Sequence, residues 1–338
     1  MTASNLHRLV AATLAPAEAE AAFAVLRIAP VLTDEHGPRV SRAVSAMALN
    51  VALFADLLRR VPTGAAYVAD VRAAGGEVVF DHGALRTIRF AEGPTGALPA
   101  GQDAFVRMFE PLGYRMAGLY PLDRLGMTGR AYAHIDHPEA IPQFFLSELH
   151  VERFSSDFQA AAHRVFDSTA DSLGAKAQAL LDLLRTHGDA PYDVVAESLP
   201  ALVSAFGRHH HEPALADYRL LLAESAEAAW IATEGAAFNH ATDRVPDVEA
   251  LAAEQRRLGR PIKDTVEVSG SGRVRQTAFK ADPVVRAFRQ DGGGRTELSV
   301  PGSFYEFISR QPLESAGLDL AFDSSNAQGI FKMTAAGT

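Results

Sequence analysis

Two histidines lie in short segments of similar composition. His82 is found in FDHGALRTI, and His240 is found in FNHATDRV. In each segment an aromatic residue and an Asp or Asn precede the histidine, and an arginine follows four residues after it. Because imidazole is a common metal ligand, the two segments would supply two ligands to one ion if each began a strand of a pseudo-symmetric sheet.

A candidate for a third ligand lies in the segment SFYEFISR. Alternation along a strand places Glu306 on the face opposite to Tyr305 and Phe307. A carboxylate among apolar side chains is costly to bury unless a cation or hydrogen bonds compensate it. Two histidines and one carboxylate form a facial triad with open coordination positions, which suits non-haem Fe(II) and O₂ chemistry. A second interpretation stays open, in which Glu306 pairs with Arg310 at the sheet surface.

Arg86 is a candidate for substrate binding because of its distance from His82 along the chain. At an even spacing of four, the two side chains of a strand point to the same face. A planar guanidinium can bind a carboxylate through two parallel hydrogen bonds, which a lysine cannot do. The alternative is a surface ion pair with an acidic neighbour such as Glu92, and Arg89 falls on the opposite face.

The other polar residues of interest have weaker patterns. The tripeptide His209 to His211 is predicted to lie in a solvated loop between helices. His134 and His137 occur in a proline-containing segment, which favours an irregular loop over a metal site. Gln276 and Lys280 either orient the metal ligands or make structural pairs, and the sequence leaves both interpretations open.

The elements that would position the candidate ligands are strands. After a turn at Gly75 and Gly76, β-branched and aromatic residues surround His82, which is typical of a strand. Residues 103–122 predict a helix followed by a strand, and residues 143–154 have the apolar run of another strand. These elements form a first β-rich part of the chain.

Helical patterns precede and follow that part. Residues 3–26 and 39–61 have apolar residues at helical spacing, so they predict two opening helices. Residues 156–186 and 191–235 are rich in Ala and Leu with the same spacing, which predicts a helical insertion between β-rich portions.

The β pattern then resumes. Residues 262–281 predict two short strands around a Gly-Ser-Gly turn, residues 291–295 a turn, and residues 302–312 an alternating strand. We therefore expect one domain over residues 1–338. Its predicted parts are the N-terminal helices (1–62), a first β-rich half (63–155), the helical insertion (156–235) and a second β-rich half (236–338).

Composition limits the classes of function. The 338-residue chain is 48% hydrophobic and 22% charged, which is typical of a globular protein. Its formal net charge of −9 gives no basic surface for nucleic acid or anionic lipid. Since the chain contains no cysteine, disulfides, thiolate zinc sites and cysteine nucleophiles are excluded, and any metal must be held by His, Asp or Glu.

The sequence also predicts the location and the partners. The N-terminal residues lack the pattern of a secretory signal, and the longest apolar run, residues 43–58, is too short to span a bilayer. We therefore expect a cytoplasmic protein that binds small molecules, with neither nucleic acid nor a membrane as partner. The oligomeric state stays open.

The motifs resemble those of known families. FYEFISR resembles the last metal-ligand strand of the vicinal-oxygen-chelate superfamily, which includes 4-hydroxyphenylpyruvate dioxygenase. The segments FDHGALRTI, PQFFLSEL, AFNHATDRV, RQTAFKAD and NAQGIF, in this order along almost the whole chain, resemble the 2-oxoadipate dioxygenase/decarboxylase family. The resemblance implies an α+β fold, in which a curved half-barrel sheet surrounds a metal site and carries the N-terminal helices and the helical insertion.

The same resemblance implies roles for particular residues. Fe(II) would be held by His82, His240 and Glu306, and Arg86 would contact the distal carboxylate of the substrate. Family members also use backbone and small polar groups near the C-terminus around the substrate carboxylate. The counterpart in this chain is DSSNAQG, which makes Ser324, Ser325 and Asn326 candidates for substrate binding.

The resemblance also implies a reaction. A 2-oxo acid would chelate Fe(II) and react with O₂, so that 2-oxoadipate from lysine catabolism would give 2-hydroxyglutarate and CO₂. Two alternatives stay open within the same superfamily. One is a glyoxalase-like lyase or isomerase, which usually has two carboxylates in a four-ligand site, and the other is a binding protein without catalytic activity.

Overall fold

The computed structural model describes residues 3–313 and 317–322 of the chain. Within them, helices and strands combine in an α+β fold, whose main sheet has eight strands and curls into a half-barrel. The predicted fold class is thereby confirmed.

Helices and strands are interspersed along the described residues. The helices are α1 (Asn5–Thr13), α2 (Pro16–Phe23), α3 (Pro30–Thr33), α4 (Arg42–Arg60), α5 (Pro62–Ala73), α6 (Asp103–Phe109), α7 (Ser156–Phe166), α8 (Ala175–His187), α9 (Tyr192–Ser204), α10 (Leu215–Glu224), α11 (Ala226–Glu234) and α12 (Val248–Arg257). The strands are β1 (Arg39–Ser41), β2 (Phe80–Arg89), β3 (Tyr114–Leu122), β4 (Met127–His134), β5 (Gln143–His150), β6 (Asp189–Pro191), β7 (His240–Arg244), β8 (Glu267–Val268), β9 (Val274–Ala278), β10 (Pro283–Arg289), β11 (Arg295–Pro301) and β12 (Phe304–Arg310).

The main sheet consists of two halves with the same strand arrangement. Its order is β3-β4-β5-β2-β7-β12-β9-β8, with β2 and β7 antiparallel at the centre. In each half the first strand pairs in parallel with the fourth, and the fourth pairs antiparallel with the third. A pseudo-twofold axis between β2 and β7 therefore relates the two halves.

The back of the sheet is covered by a buried helix and by Phe238, which directly precedes β7. Ser41 caps the N-terminus of α4 by accepting a hydrogen bond from the backbone N–H of Val44. Most residues of α4 are buried, as expected of a helix that is apolar on most sides. On β2, Gly83 faces the ring of Phe238, and a Cβ atom there would come within 2.2 Å of that ring. Glycine is thus needed beside His82 for close packing.

The structure differs from the sequence prediction at several elements. The single helix predicted over residues 3–26 is wrong, because the helix ends at Thr13 and a new one begins at Pro16. Proline has no N–H to donate and is well placed at the start of a helix. The sequence prediction also missed β4 and the hairpin of β10 and β11, which has the predicted turn at residues 291–295.

Other predicted elements are confirmed. A helix and a strand, α6 and β3, occur within residues 103–122, and β8 and β9 flank the Gly-Ser-Gly turn. None of the helices in the two described ranges is long and apolar enough to cross a membrane.

Candidate metal centre

The candidate ligands come together because of the register of three central strands. In the pairing of β2 with β7, His82 lies opposite Thr242 and Ala84 lies opposite His240. The parallel pairing of β7 with β12 places Glu306 beside Thr242. Because these registers put the three side chains on one face of the sheet, both halves of the fold contribute to one cluster.

The three side chains converge on a small buried volume. Nε2 of His82 is 3.2 Å from Oε2 of Glu306, and Nε2 of His240 is 3.4 Å from the same oxygen. One ligand atom from each residue lies within 4.8 Å of the others. In the described part of the chain, this is the one group of three or more His, Cys, Asp or Glu side chains with such geometry.

The polar atoms of this cluster fit a metal ion. Oε2 of Glu306 accepts a hydrogen bond of 2.5 Å from the Thr242 hydroxyl. Its other oxygen, Oε1, is buried and has no hydrogen-bond partner among the described residues, and Nδ1 of His240 has none there either. A buried carboxylate between two imidazoles, with an oxygen left over, is a donor set that a divalent cation would satisfy.

The charges at His240 and Glu306 favour the forms that bind a metal. Burial lowers the pKa of His240 to about 3, although the nearby Glu306 carboxylate opposes this effect. Burial raises the pKa of Glu306, but the two histidines and the Thr242 hydroxyl outweigh it and lower the pKa below its usual value. A neutral imidazole and an ionised carboxylate are the forms that bind metal. At His82, burial lowers the pKa, but the carboxylates of Asp81 and Glu306 outweigh it and raise the pKa above its usual value, so a metal would have to displace a proton there.

His82 is oriented by a neighbour in sequence. Its Nδ1 lies 2.8 Å from Oδ1 of Asp81, and a histidine that donates Nδ1–H to a carboxylate presents Nε2 to a metal. Arg310 donates to both oxygens of Asp81 at 2.9 Å. Burial raises the pKa of Asp81, but the charge of Arg310 and the bond with His82 hold it well below the usual range.

The surface ion pair between Glu306 and Arg310 that the sequence left open is absent from the described residues. Arg310 is buried and binds Asp81, while Glu306 is buried among the histidines. The alternative interpretation of Glu306 is therefore wrong.

Arg86 is fully buried on the same strand face as His82. Its guanidinium carbon lies 5.0 Å above the ring of Trp230 on α11. Burial lowers the pKa of Arg86 to about 10, and the charge of Glu227 opposes this effect, so the side chain is a cation at neutral pH. The alternative of a surface ion pair with Glu92 is wrong, because Arg86 is not at the surface.

The pseudo-twofold axis shows which residue stands opposite to Glu306. It exchanges His82 with His240, because the pairs Ala84–His240 and His82–Thr242 map onto each other. His240 pairs with Phe304 on β12, and His82 pairs with Gln143 on β5. Two residues after these partners, β12 has Glu306 and β5 has Phe145. An apolar side chain thus occupies the position that would otherwise supply a fourth ligand.

The last residue of the described segment 317–322 lies beside the cluster. The ring of Phe322 lies 4.7 Å from the ring of His82 and 4.8 Å from that of Phe145. The three candidates that follow, Ser324, Ser325 and Asn326, lie outside the described residues.

The remaining candidates have separate environments. Gln276 is buried on β9 opposite Ile308, on the face that carries Glu306, whereas Lys280 is exposed. The histidine tripeptide is not solvated throughout, because His210 is buried and its Nε2 lies 2.9 Å from the carbonyl oxygen of Ala232. His134 ends β4 and is also buried.

Sequence reasoning missed Asp81, Thr242 and Phe145. Asp81 had a visible signal, since a carboxylate directly before a candidate ligand histidine can orient it. Thr242 and Phe145 become recognisable only through the strand register, which a single sequence does not reveal.

Comparison with known proteins decides the family. The model of the 2-oxoadipate dioxygenase/decarboxylase family matches residues 41–332. The chain belongs to this family. Among curated proteins, none matches the chain.

Solved structures of relatives extend the comparison. A glyoxalase-superfamily protein from Ralstonia eutropha JMP134 is 53% identical with a TM-score of 0.91, and the match covers 95% of this chain and 98% of that one. The hydroxyglutarate synthase of Oryza sativa, solved with 2-oxoadipate, is 19% identical with a TM-score of 0.66. The match covers 88% of this chain and 96% of that one. The hydroxyglutarate synthase of Pseudomonas putida, also solved with 2-oxoadipate, is 18% identical with a TM-score of 0.63. The match covers 88% of this chain and 74% of that one. The last two similarities show a shared fold.

Proposed function

We propose that the chain is an Fe(II)-dependent dioxygenase and decarboxylase that converts 2-oxoadipate, or a similar 2-oxo dicarboxylic acid, and O₂ to 2-hydroxyglutarate and CO₂. The observation that carries the proposal is the buried cluster of His82, His240 and Glu306 with the cationic Arg86 on the same strand face. Membership of the 2-oxoadipate dioxygenase/decarboxylase family supports the choice of reaction.

The protein residues have separable roles in this proposal. His82, His240 and Glu306 would hold the metal, and Asp81 fixes the His82 ring so that Nε2 points to it. When bound, Fe(II) supplies the redox chemistry with O₂ and the Lewis acidity that polarises the 2-oxo group. Both atoms of O₂ are accounted for in 2-hydroxyglutarate and CO₂, so no separate 2-oxo acid is consumed.

Arg86 would bind the distal carboxylate. A guanidinium buried beside Trp230 is shielded from water, which strengthens its attraction for an anion. Arg86 lies four residues along β2 from His82, so the guanidinium and the metal ligands are at different positions along the same strand face. A substrate with acidic groups at both ends matches this separation.

Phe145 supports the open coordination that the reaction needs. With Phe145 in the position equivalent to Glu306, the protein supplies three ligands from the described residues. Three protein ligands leave room for a chelating substrate and O₂, as in facial-triad enzymes. Phe322 and Phe145 also present apolar surface at the site and limit access of water.

A glyoxalase-like lyase is the second candidate, because the relative from Ralstonia eutropha JMP134 is described as a glyoxalase-superfamily protein. An oxygen-electrode assay of the metal-free protein reconstituted with Fe(II), Zn²⁺ or Ni²⁺ separates the two. With 2-oxoadipate as substrate, we expect O₂ uptake by the Fe(II) protein and none by the Zn²⁺ or Ni²⁺ protein. Isomerisation of a hemithioacetal with Zn²⁺ or Ni²⁺, with no O₂ uptake under any condition, would favour the lyase.

A further inference from the structure

The C-terminal strap, which we define as residues 317–322, ends beside the metal cluster, where Phe322 contacts His82. It is attached to both halves of the main sheet. The backbone N–H of Phe322 donates to the Tyr120 hydroxyl on β3, and Gln143 on β5 donates to the carbonyl oxygen of Leu320. On the other side, Arg273 forms an ion pair of 3.0 Å with Asp319. The strap is therefore held by both halves of the sheet.

Arg310 links this strap to a metal ligand. Through Nη1 it donates hydrogen bonds of 2.8 Å to the carbonyl oxygens of Asp319 and Ala321. Through Nε and Nη2 it binds Asp81, which in turn binds Nδ1 of His82. A single planar side chain thus connects the strap backbone with the group that orients the ligand.

Phe322 provides a second link between Arg310 and the His82 ring. Phe322 packs edge-on against His82 at 4.7 Å and lies under the Arg310 guanidinium at 5.1 Å. Asp81 orients the His82 ring through a hydrogen bond, and Phe322 packs against the edge of the same ring. Both of these residues are held by Arg310.

We infer that Arg310 is a positioning residue that couples metal binding to docking of the strap, so that each stabilises the other. The inference rests on the proposed metal site. Coupling of this kind is reciprocal, because whatever metal binding gains from a docked strap, the docked strap gains from bound metal. A metal-loaded protein would then have a closed site, and loss of the metal would loosen the strap.

The test compares the protein with variants that cut the link at different points. The double variant Asp81→Asn/Arg310→Met removes both charges together, so it leaves neither one buried alone. The asparagine oxygen can still accept a hydrogen bond from His82, but Arg310 no longer holds that side chain in place to orient the ring. The matched control is Arg273→Gln, which removes the other ion pair of the strap without touching Asp81. Arg310→Lys keeps the charge but not the planar set of donors.

Two readouts follow metal binding without turnover: titration with Co(II), read from its visible absorption, and hydrogen exchange of the strap amides with and without Co(II). In the unmodified protein and in Arg273→Gln, we expect Co(II) to slow strap exchange about tenfold or more. In the double variant we expect no such slowing and an affinity for Co(II) about 10- to 100-fold lower, as for other groups that orient ligands. Arg310→Lys should give an intermediate protection.

Two results would overturn the coupling. One is strap exchange that does not respond to Co(II) in the unmodified protein, and the other is equal protection in the double variant. If the double variant does not fold, Arg310→Lys decides, because full wild-type protection in it contradicts the role of the planar guanidinium. Protection by Co(II) without O₂ uptake on Fe(II) would leave the coupling intact and refute the proposed reaction instead.

Discussion

Nε2 of His82 on β2 lies 3.2 Å from Oε2 of Glu306 on β12, although β7 runs between the two strands. The contact joins the first half of the sheet to the last strand of the second half. The cluster therefore exists only after both halves have paired, and His240 on the intervening strand completes it. Substitutions in either half should consequently affect the same site.

The variant Glu306→Gln tests the metal ligands. It keeps the shape of the side chain but removes the negative charge, so we expect the affinity for Fe(II) or Co(II) to fall at least about 100-fold, more than for groups that only orient ligands. Metal content after purification without chelator measures the effect. Glu148→Gln is the matched control, since Glu148 is also buried but pairs with Arg130 and lies outside the cluster. Full metal content in Glu306→Gln would refute its role.

The variant Arg86→Ala tests recognition of the distal carboxylate. Loss of a buried charge partner typically costs about 2 to 5 kcal/mol, so we expect KM for 2-oxoadipate to rise by about 30-fold or more. With 2-oxohexanoate, which lacks the second carboxylate, the change should be much smaller. Arg89→Ala alters an arginine that pairs with Glu148 and should leave both KM values near those of the unmodified protein. Equal effects of Arg86→Ala on both substrates would contradict the assignment.

The variant Phe145→Glu tests whether three protein ligands are required. A carboxylate at this position would restore the symmetric partner of Glu306 and occupy a coordination position that the substrate needs. We expect metal to be retained and O₂ uptake with 2-oxoadipate to fall at least about 100-fold, a change of roughly 3 kcal/mol in the barrier. Phe145→Leu, which stays apolar, is the control and should keep most of the activity. Unchanged turnover in Phe145→Glu would show that the position is not open for substrate or O₂.

The stability of the fold should depend on pH through His210. Burial lowers its pKa to about 4, whereas an unfolded histidine titrates near pH 6.5. Between these two values the unfolded chain binds the proton and the folded chain does not. The unfolding free energy therefore falls as the pH decreases from about 6.5 to about 4, by up to about 3 kcal/mol from this residue, and this loss is complete below about pH 4.

Urea unfolding of His210→Gln between pH 4 and pH 7.5 checks this prediction. The glutamine amide can still donate to the carbonyl oxygen of Ala232 but does not titrate, so the fall in stability should be smaller. The exposed neighbour His211 provides the control variant His211→Gln, which should follow the unmodified protein. Identical profiles for all three proteins would exclude His210 as a cause.

The sequence predicted that His82, His240 and Glu306 lie together, as they do in the structure, for two physical reasons, whereas the fold class was implied by the family resemblance. Alternation along the strand places Glu306 on the face opposite to its aromatic neighbours in sequence. The similar patterns around His82 and His240 occur because the two residues lie on equivalent strands of the two sheet halves. The resemblance to the 2-oxoadipate dioxygenase/decarboxylase family then gave the three residues a common chemistry.

Long-range contacts are what the sequence could not predict. The partner of Arg310 is Asp81, which is distant in the chain, and local spacing favoured the nearby Glu306 instead. Phe145 has no local feature that relates it to Glu306, because the relation depends on the registers of β5 and β12. The burial of His210 depends on Phe166, against whose ring it packs at 5.2 Å.

The most direct test of the proposed reaction is a stoichiometry measured in one vessel. Protein reconstituted with Fe(II) is supplied with 2-oxoadipate, and the consumption of O₂ and the formation of 2-hydroxyglutarate and CO₂ are followed together. The proposed function predicts equal amounts of all three and no product when either Fe(II) or O₂ is left out. Formation of 2-hydroxyglutarate without O₂, or no O₂ uptake by protein with a full complement of Fe(II), would contradict it.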